Sequence, residues 1–554
     1  MTHLHKTSWG AHWLALAVSV LLVGLGACGP AEDAADVPPA EGSPEEEPRP
    51  MGLVFNTGDV ASGYVLYSPL TSGRTFLLDT KGQVVHSWDS DYKPCSVYLL
   101  PDGRLLRPGR DPDAVGFQAG GAMGLLEMYS WEGERLWHWK LSDDGQILHH
   151  DIEPLPNGNL LANGWELITP EEARAAGRRE DLLPEEGLWS DFIVEIEPLP
   201  PDDARIVWRW RVWDHLIQNV DPSLPNYADP VANPHRLDIN AGGPPLEIDA
   251  DQLAQLQALG YVPTPDEEEE EAGNGSEDAE GDEEEEELRP DWIHVNAVDW
   301  HPTLDQIALT APELGEVWII KRPRSTEEGA GPAGDILYRW GNPSIYGRGP
   351  AEHKRLFYPH DVQWIPAGYE QAGQLTIFNN GSDRPEGEWS SVEQIEPPLA
   401  ADGTYSLMDG QPYGPAELSW HYRAQEPESF FARAISGAHR LANGNTFVTT
   451  GPDGRLFEID QQGETVWEFW NPYGADLRNP NMHGRRQRAG DPRQAYGIWR
   501  ARKYPPDHPA LADRQLEPIA PQPEVYIPLP EEDEGEGAGE TGEDAPAEVE
   551  LPGA

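Results

Sequence analysis

The 554-residue sequence predicts an all-β fold, a six-bladed β-propeller with acidic disordered tails and one acidic insertion. Two observations support this prediction. One sequence pattern, which we call the hairpin phrase, reads as a strand, a tight turn and a second strand. It occurs five times along the chain. A second hairpin that ends in paired aromatic residues precedes most of these phrases, and six strands carry such a pair. A β-sandwich also contains many hairpins, but it does not explain a two-part phrase that returns in order.

The strand signals follow one another along the chain with Gly, Pro, Asn and Asp between them, as expected for short strands and turns. The hairpin phrases are "SVYLLPDGRLLRPG" from Ser96, "DIEPLPNGNLLANG" from Asp151, "NAVDWHPTLDQIAL" from Asn296, "DVQWIPAGYEQAGQLTIFNNG" from Asp361 and "GAHRLANGNTFVTTG" from Gly437. The aromatic pairs lie in "KGQVVHSW", "EGERLWHWKL", "ARIVWRWRVW", "GDILYRWGNP", "AELSWHYR" and "QQGETVWEFWNP". Helical periodicity is scarce, apart from "ADQLAQLQALGYV" from Ala250.

The first 27 residues have the pattern of an export signal, with a polar start and an apolar run from Trp13 to Leu25. Residues 25–28, "LGAC", resemble a bacterial lipobox, so we expect lipidation of Cys28 and a lipid anchor on the periplasmic or cell-surface face of a bacterial membrane. An ordinary signal peptide cut near Ala27 is the alternative. Cys95 is the only other cysteine, so a lipidated Cys28 leaves no partner for an intrachain disulfide.

The net charge of −58 is unevenly spread, because residues 31–50, 266–287 and 531–554 hold 32 of the 97 acidic residues. Such stretches have little to bury and repel themselves, so we expect disorder. The predicted organisation is a signal peptide at 1–27, a tether at 28–52, a propeller at 53–525 with an insertion at 263–289, and a tail at 526–554. Solvated spacers are favoured over calcium or cell-wall binding. The acidic balance disfavours nucleic acid as a partner.

The residue six positions before each hairpin turn is polar or reactive. Those residues are Cys95, His150, Asn296, His360 and Ser436, counted from Pro101, Pro156, Pro302, Pro366 and Ala442. Equivalent positions of propeller blades form a ring around the central channel, so we expect these side chains at one level. Strand alternation places His294 on the same face as Asn296. Three histidines on one axial surface indicate a site, and a polar plug of hydrogen-bonded imidazoles is the alternative.

Several long motifs in order resemble the bacterial arylsulfotransferase family, over roughly Gly63 to Pro472. They are "HHDIEPLPNGNLLANGWE", "DWIHVNAVDWHP", "LYRWGNP", "HDVQWIPAG…LTIFNNG" and "SGAHRLANGN". The resemblance implies a six-bladed propeller with a site at the channel mouth. It also implies transfer of a sulfuryl group from an aryl sulfate to a phenol through a histidine, with no nucleotide sulfate donor and no cofactor.

By motif, His360 looks like the nucleophile of that family, and His150 and His294 resemble the histidines that hold the sulfate or phenolic oxygen. The chemistry suits imidazole, because a neutral ring with an ordinary pKa of about 6.5 attacks well near neutral pH. A sulfo-imidazole splits one hard transfer into two easier ones, and a protonated neighbour can neutralise the leaving phenolate. Asn296 is expected to contact substrate, whereas alternation predicts that Asp361 faces away.

One position departs from the family pattern, because Pro312 stands where the family usually carries a sulfate-binding arginine. A bidentate anion clamp is therefore missing there, and Arg339 and Arg384 are the candidate substitutes. A non-catalytic, lipid-anchored propeller that binds a ligand or partner at the channel mouth is the alternative function. A hydrolase with an open three-histidine zinc site is a more distant one, and no metal is expected.

Overall fold

The computed structural model describes residues 49–114, 116–117, 119–242, 288–474 and 496–525. These residues form six small antiparallel sheets around an axis, which confirms the prediction of a six-bladed propeller. The predicted signal peptide and lipobox, most of the tether and of the acidic insertion, and the whole tail lie outside the described residues. No helix of the described part has the length and apolarity needed to span a membrane.

The described secondary structure is mostly strands, with two short helices. The strands are β1 (Gly52–Asn56), β2 (Tyr64–Tyr67), β3 (Thr75–Leu78), β4 (Val84–Trp88), β5 (Tyr98–Leu99), β6 (Leu105–Arg110), β7 (Gly124–Tyr129), β8 (Arg135–Lys140), β9 (Ser142–Asp143), β10 (Gln146–Pro154), β11 (Leu160–Ile168), β12 (Leu188–Leu199), β13 (Asp203–Arg211), β14 (Leu216–Ile217), β15 (Leu237–Asp238), β16 (Ala297–His301), β17 (Gln306–Ala311), β18 (Glu316–Lys321), β19 (Ile336–Trp340), β20 (Pro359–Trp364), β21 (Leu375–Asn379), β22 (Ser391–Ile395), β23 (Trp420–Tyr422), β24 (Gly437–Arg440), β25 (Thr446–Thr450), β26 (Arg455–Ile459), β27 (Thr465–Trp470) and β28 (Arg502–Tyr504). The helices are α1 (Pro170–Ala175) and α2 (Thr326–Gly329).

Each blade runs outward from an inner strand. From inside to outside, blade 1 is β28, β2, β3 and β4, blade 2 is β5 to β8, and blade 3 is β10 to β13 with β9 on the free edge of β10. Blade 4 is β16 to β19, blade 5 is β20 to β23, and blade 6 is β24 to β27 with β1 outermost. Strands β14 and β15 form a separate parallel pair.

The two ends of the described chain close the ring. Strand β1 pairs with β27 at the outer edge of blade 6, and β28 pairs with β2 as the inner strand of blade 1. Gly63, just before β2, is required by this closure because a Cβ there would lie 2.1 Å from the carbonyl oxygen of Tyr504, and its φ is +139°. The N-terminal and C-terminal strands therefore hold neighbouring blades together.

The aromatic residues of the outermost hairpins link each blade to the next. The indole N–H of Trp137 in blade 2 donates to the carbonyl of Asp203 in blade 3 at 2.8 Å. The corresponding bonds are Trp88 to Ser130, Trp210 to Gly334, Trp340 to Pro415, Trp420 to Gln461 and Trp467 to Thr80. Because the last of these joins blade 6 to blade 1, the set runs around the whole ring. This repeated role explains why the aromatic pair recurs in the sequence.

Candidate active site

The three histidines singled out from the sequence lie together at the axis. His150 belongs to β10, His294 precedes β16 and His360 begins β20, so adjacent blades supply them in turn. The ring centroids of His150 and His294 are 4.4 Å apart. The exposed fractions of His150, His294 and His360 are 0%, 3% and 1%, so solvent barely reaches the cluster.

Trp499 completes this level of the ring from blade 1. Its indole lies 5.0 Å from the His150 ring and 6.0 Å from the His360 ring, measured between centroids. It stands six residues before Pro505, the same offset that relates the other ring residues to their turns. Trp499 was not identified from the sequence, because the apolar strand-like segment that follows it is short. Its distance from Pro505 is the signal that could have identified it.

Left-handed backbone brings these side chains inward. His150, His294, Tyr358 and Asp361 have φ values of 56°, 61°, 55° and 51°, a region that non-glycine residues rarely adopt. The pairing of β20 with β21 shifts register between His360 and Gln363. Alternation therefore fails here, and the expectation that Asp361 faces away is wrong. Its carboxylate accepts a hydrogen bond from the guanidinium of Arg500 at 2.7 Å.

His360 is held as a neutral ring with a defined tautomer. The side chain of Asn380 donates to the carbonyls of Ala432 at 2.8 Å and Ile435 at 3.0 Å, so its amide oxygen must face His360. That oxygen lies 2.8 Å from Nδ1 of His360, which therefore carries the proton. Burial lowers the pKa of His360 to about 3, with a further contribution from His294. The lone pair is thus on Nε2, where it accepts the backbone N–H of Ile435 at 3.2 Å.

His294 has the opposite electrostatic environment. Its Nδ1 is hydrogen-bonded to the carboxylate of Asp291. Burial alone would lower the pKa of His294, but Asp291, with help from Glu313 and Asp191, raises it above the usual value. Tyr358 stacks beside it with a centroid distance of 6.2 Å. His294 is therefore the imidazolium of the cluster and the group suited to donate a proton or attract an anion.

His150 contacts a second histidine that the sequence analysis did not single out. Nδ1 of His150 lies 2.6 Å from Nδ1 of His149, which stacks on Trp165 with a centroid distance of 3.9 Å. Burial, followed by the charge of His294, lowers the pKa of both His149 and His150 well below the usual value. A Cβ at Gly121 would lie 2.2 Å from Nε2 of His150, so only glycine allows this approach.

A buried ionic layer lies directly below the histidines. Arg500 binds the carboxylates of Asp151 and Asp361 and the hydroxyl of Tyr98, which come from three other blades. Burial would raise the pKa of Asp151, but Arg500 outweighs it and lowers the value. A cavity of about 360 Å³ opens at the hairpin-turn end of the inner strands, where Gln363 and Arg502 are among its lining residues.

The remaining predicted substrate residues have other partners. The side chain of Asn296 donates to the carbonyl of Pro359 at 3.1 Å, on the neighbouring blade. Arg339 is fully buried, with Nη2 2.5 Å from the carboxylate of Glu316. The guanidinium of Arg384 stacks on Trp389 at 3.8 Å and donates to the hydroxyl of Ser391. Neither arginine contacts the three histidines through a described hydrogen bond or ion pair.

Pro312 is buried directly after β17, and Glu313 follows it as the exposed residue of an otherwise buried turn toward β18. Glu313 is a charged neighbour of His294 and hydrogen-bonds the hydroxyl of Tyr358. At the place where the sequence analysis found Pro312 instead of an arginine, the chain thus supplies a carboxylate from the next residue. Within the described ranges, no three His, Cys, Asp or Glu side chains are arranged to hold a metal ion.

Fold and site together define a β-propeller protein with a histidine-centred axial site. The arylsulfotransferase (ASST) family model matches residues 64–322. This match confirms, over the matched part of the chain, the resemblance inferred from the motifs. The matched part includes His150 and His294 and ends before His360.

Solved structures show only distant similarity. A Bacteroides caccae protein of unknown function is 11% identical, over 80% of this chain and 98% of that chain, with a TM-score of 0.36. A catalytically inactive virginiamycin B lyase from Staphylococcus aureus is 9% identical, over 78% and 90%, with a TM-score of 0.31. At these values the similarity carries no functional argument. No curated protein matches the chain significantly.

Proposed function

We propose that the protein transfers a sulfuryl group from an aryl sulfate to a phenolic acceptor through a sulfo-histidine at His360, without a nucleotide donor. The observation that carries this proposal is the hydrogen bond from His360 to Asn380, because it leaves the lone pair of a neutral imidazole on Nε2. His294, charged through Asp291, is the nearby proton donor. The family match supports the same class of substrates.

In the donor step, Nε2 of His360 attacks the sulfur of the aryl sulfate. The N–S bond forms while the S–O bond to the aryl group breaks, and the leaving phenolate takes a proton from His294. In the acceptor step, a phenolic oxygen attacks the sulfur, the N–S bond breaks, and the phenolic proton passes to a basic group of the site. His360 returns to its neutral form, so the two steps balance.

Aromatic side chains suit the aryl groups of both substrates. Trp165, Trp499 and Tyr358 surround the imidazoles, with the Tyr358 ring 5.7 Å from the His360 ring. Such rings stack on aryl groups and exclude water. Because the histidines are almost fully buried, substrate binding requires part of this aromatic wall to move.

Two observations favour the alternative of a non-catalytic propeller that binds a ligand at this site. Pro312 and Glu313 provide no cation where the family usually has an arginine. The backbone N–H of Ile435 also occupies the lone pair of His360, and this bond must break before attack. If the enzyme is active, we therefore expect poor affinity for the sulfate donor.

Turnover of 4-nitrophenyl sulfate, with and without added phenol, tests the proposal. The wild type should release 4-nitrophenol faster when phenol is present, and His360→Ala should abolish release. His421→Ala is the matched control, because His421 is exposed on the outer strand of the same blade. Full activity of His360→Ala, or no turnover by the wild type at high donor concentration, would favour the binding function.

We also propose that the protein is exported and anchored to a bacterial membrane through a lipid on Cys28. The support is the lipobox-like "LGAC" after an apolar run, followed by an acidic stretch that can act as a tether. Cys28→Ser should move the protein from the membrane to a soluble exported fraction. A wild type that is already soluble would contradict the anchor.

A further inference from the structure

A chain of three buried side chains leads from the axial site into blade 3. His150 and His149 meet through their Nδ1 atoms at 2.6 Å, and Nε2 of His149 lies 3.2 Å from the carboxylate of Asp191. Asp191 belongs to β12, two strands outward from the histidines. His149 has no role in the sulfuryl transfer described above, and Asp191 enters it only as a minor contributor to the raised pKa of His294.

The hydrogen-bonding chemistry of this chain defines its tautomers. Only one of the two facing Nδ1 atoms can carry a proton when both rings are neutral. Oδ1 of Asp191 already accepts the backbone N–H of Val295 and is also the oxygen nearest Nε2 of His149. An acceptor at that place favours a proton on Nε2 of His149 and leaves Nδ1 of His149 unprotonated. Nδ1 of His150 must then donate, and its lone pair lies on Nε2.

The surroundings hold this arrangement in place. The backbone N–H of Val295 donates to the Asp191 carboxylate at 2.9 Å, and Trp165 holds the ring of His149 by stacking. The rings of His294 and His360 and the carboxylate of Asp291 are the other titratable groups around this cluster. Their combined environment and the burial keep His150 neutral, since its pKa is well below the usual value.

Nε2 of His150 is left available to a reactant. It has no hydrogen-bond partner among the described residues although it is buried. The wall beside it is Gly121, where any side chain would block the nitrogen. An unpaired buried acceptor next to a charged imidazole is costly, which indicates a functional reason for it.

We propose that His149 and Asp191 are positioning residues that hold His150 in the Nδ1–H tautomer, so that Nε2 of His150 accepts the proton of the phenolic acceptor. This role rests on the proposed function. In the acceptor step the phenolic O–H bond breaks toward Nε2 of His150 while the O–S bond forms and the N–S bond to His360 breaks. The proton then passes to His294, whose ring centroid is 4.4 Å away, and restores the donor for the next cycle.

Asp191→Leu is the sharpest variant, because Leu is close in size but has no oxygen that accepts a hydrogen bond from Nε2 of His149. Without that acceptor, Nδ1 of His149 can donate to Nδ1 of His150, which places the proton of His150 on Nε2. Nitrogen NMR of histidine-labelled protein should report this change directly. Transfer from preformed sulfo-enzyme to phenol should fall by roughly 10²- to 10⁴-fold, the usual worth of a positioned base, while formation of the sulfo-enzyme changes far less.

Asp335→Leu is the matched control. Asp335 lies 2.9 Å from Nδ1 of His215, a buried histidine stacked on Trp210, in the outer part of the propeller away from the three axial histidines. This variant should leave both transfer steps unchanged. If Asp191→Leu does not fold, His149→Phe keeps a ring on Trp165 while removing the acceptor for Nδ1 of His150, and it should slow the same step.

The outcomes separate this inference from the proposed function. An Nε2–H tautomer of His150 in the wild type, or an acceptor step that survives tautomer reversal, overturns the positioning role. A wild type that forms no sulfo-enzyme refutes the proposed function instead. In that case the NMR comparison of wild type with Asp191→Leu still decides whether Asp191 controls the tautomer of His150.

Discussion

At the scale of single residues, the axial histidines differ in protonation state. Burial keeps His360 neutral although its hydrogen bond to Asn380 acts in the opposite direction, whereas Asp291 keeps His294 charged. Two imidazoles in one site thus take different parts, which is the arrangement expected of a nucleophile and an acid. The sequence identified both histidines but not these partners, because Asn380 and Asp291 contact them through turns whose geometry no periodicity reveals.

This division predicts the pH dependence of the donor step. His360 becomes protonated only as pH falls through about 3, so its protonation should not limit the rate above about pH 4. Protonated His294 is lost as pH rises through its elevated pKa, so the rate should fall on the alkaline side. Asp291→Asn removes the main group that raises this pKa and should move the alkaline limb to lower pH. Single-turnover rates with phenyl sulfate measure the shift.

A second substrate provides the control for this experiment. Release of 4-nitrophenolate needs less help from an acid, because that phenolate is a better leaving group. The effect of Asp291→Asn should therefore be smaller with 4-nitrophenyl sulfate than with phenyl sulfate. An alkaline limb that stays in place, or an equal effect on the two substrates, would argue against His294 as the proton donor.

At the scale of elements, the inner strands are held in place by buried ion pairs as well as by the backbone hydrogen bonds of their sheets. Arg500, just before β28, bonds Asp151 of β10 and Asp361 of β20, and all three side chains are buried. Removing one partner of such a set leaves uncompensated charges. Arg500→Met should therefore lower the free energy of unfolding at pH 7 by about 3–5 kcal/mol, measured by urea denaturation.

The loss should also depend on pH. The folded pKa of Asp151 is depressed by Arg500, so its stabilising contribution is present above the unfolded pKa of about 3.9 and is lost as pH falls through the lower folded value. The difference between wild type and Arg500→Met should consequently shrink in acid. Arg205→Met is the control, because its ion pair with Glu197 is exposed and worth at most about 1 kcal/mol. A pH-independent difference would contradict this account of the layer.

At the scale of the whole molecule, stability depends on closing the ring between blades 6 and 1. The indole N–H of Trp467 donates to the carbonyl of Thr80 at 2.9 Å, whereas Trp137 makes the same bond between blades 2 and 3. Trp467→Phe and Trp137→Phe should each cost about 1–3 kcal/mol of unfolding free energy, since each leaves a carbonyl without its partner. Only Trp467→Phe should speed amide exchange in β1 and β28, the strands at the closure. Equal exchange in both variants would show that the closure is not a separate weak point.

The arrangement of the blades could be predicted from the sequence, because each hairpin phrase contains its own turn residues and its own alternation of apolar and polar residues. The sequence also predicted that His150, His294 and His360 lie at one level of the channel, because equivalent positions of the blades form a ring around the axis. It was insufficient at Asp361 and Trp499. A left-handed residue reverses the alternation at Asp361, and Trp499 lies on a strand that returns to the ring from the far end of the chain. Such contacts depend on closure of the whole fold.

The proposed transfer requires a covalent intermediate on Nε2 of His360. Peptide mass spectrometry detects it in the wild type after exposure to an aryl sulfate without acceptor, under alkaline conditions that preserve sulfo-imidazole. We expect a sulfuryl group on the peptide containing His360, lost on addition of phenol and absent from His360→Ala. A sulfuryl group on His150 or His294 instead, or turnover without any adduct on His360, would contradict it.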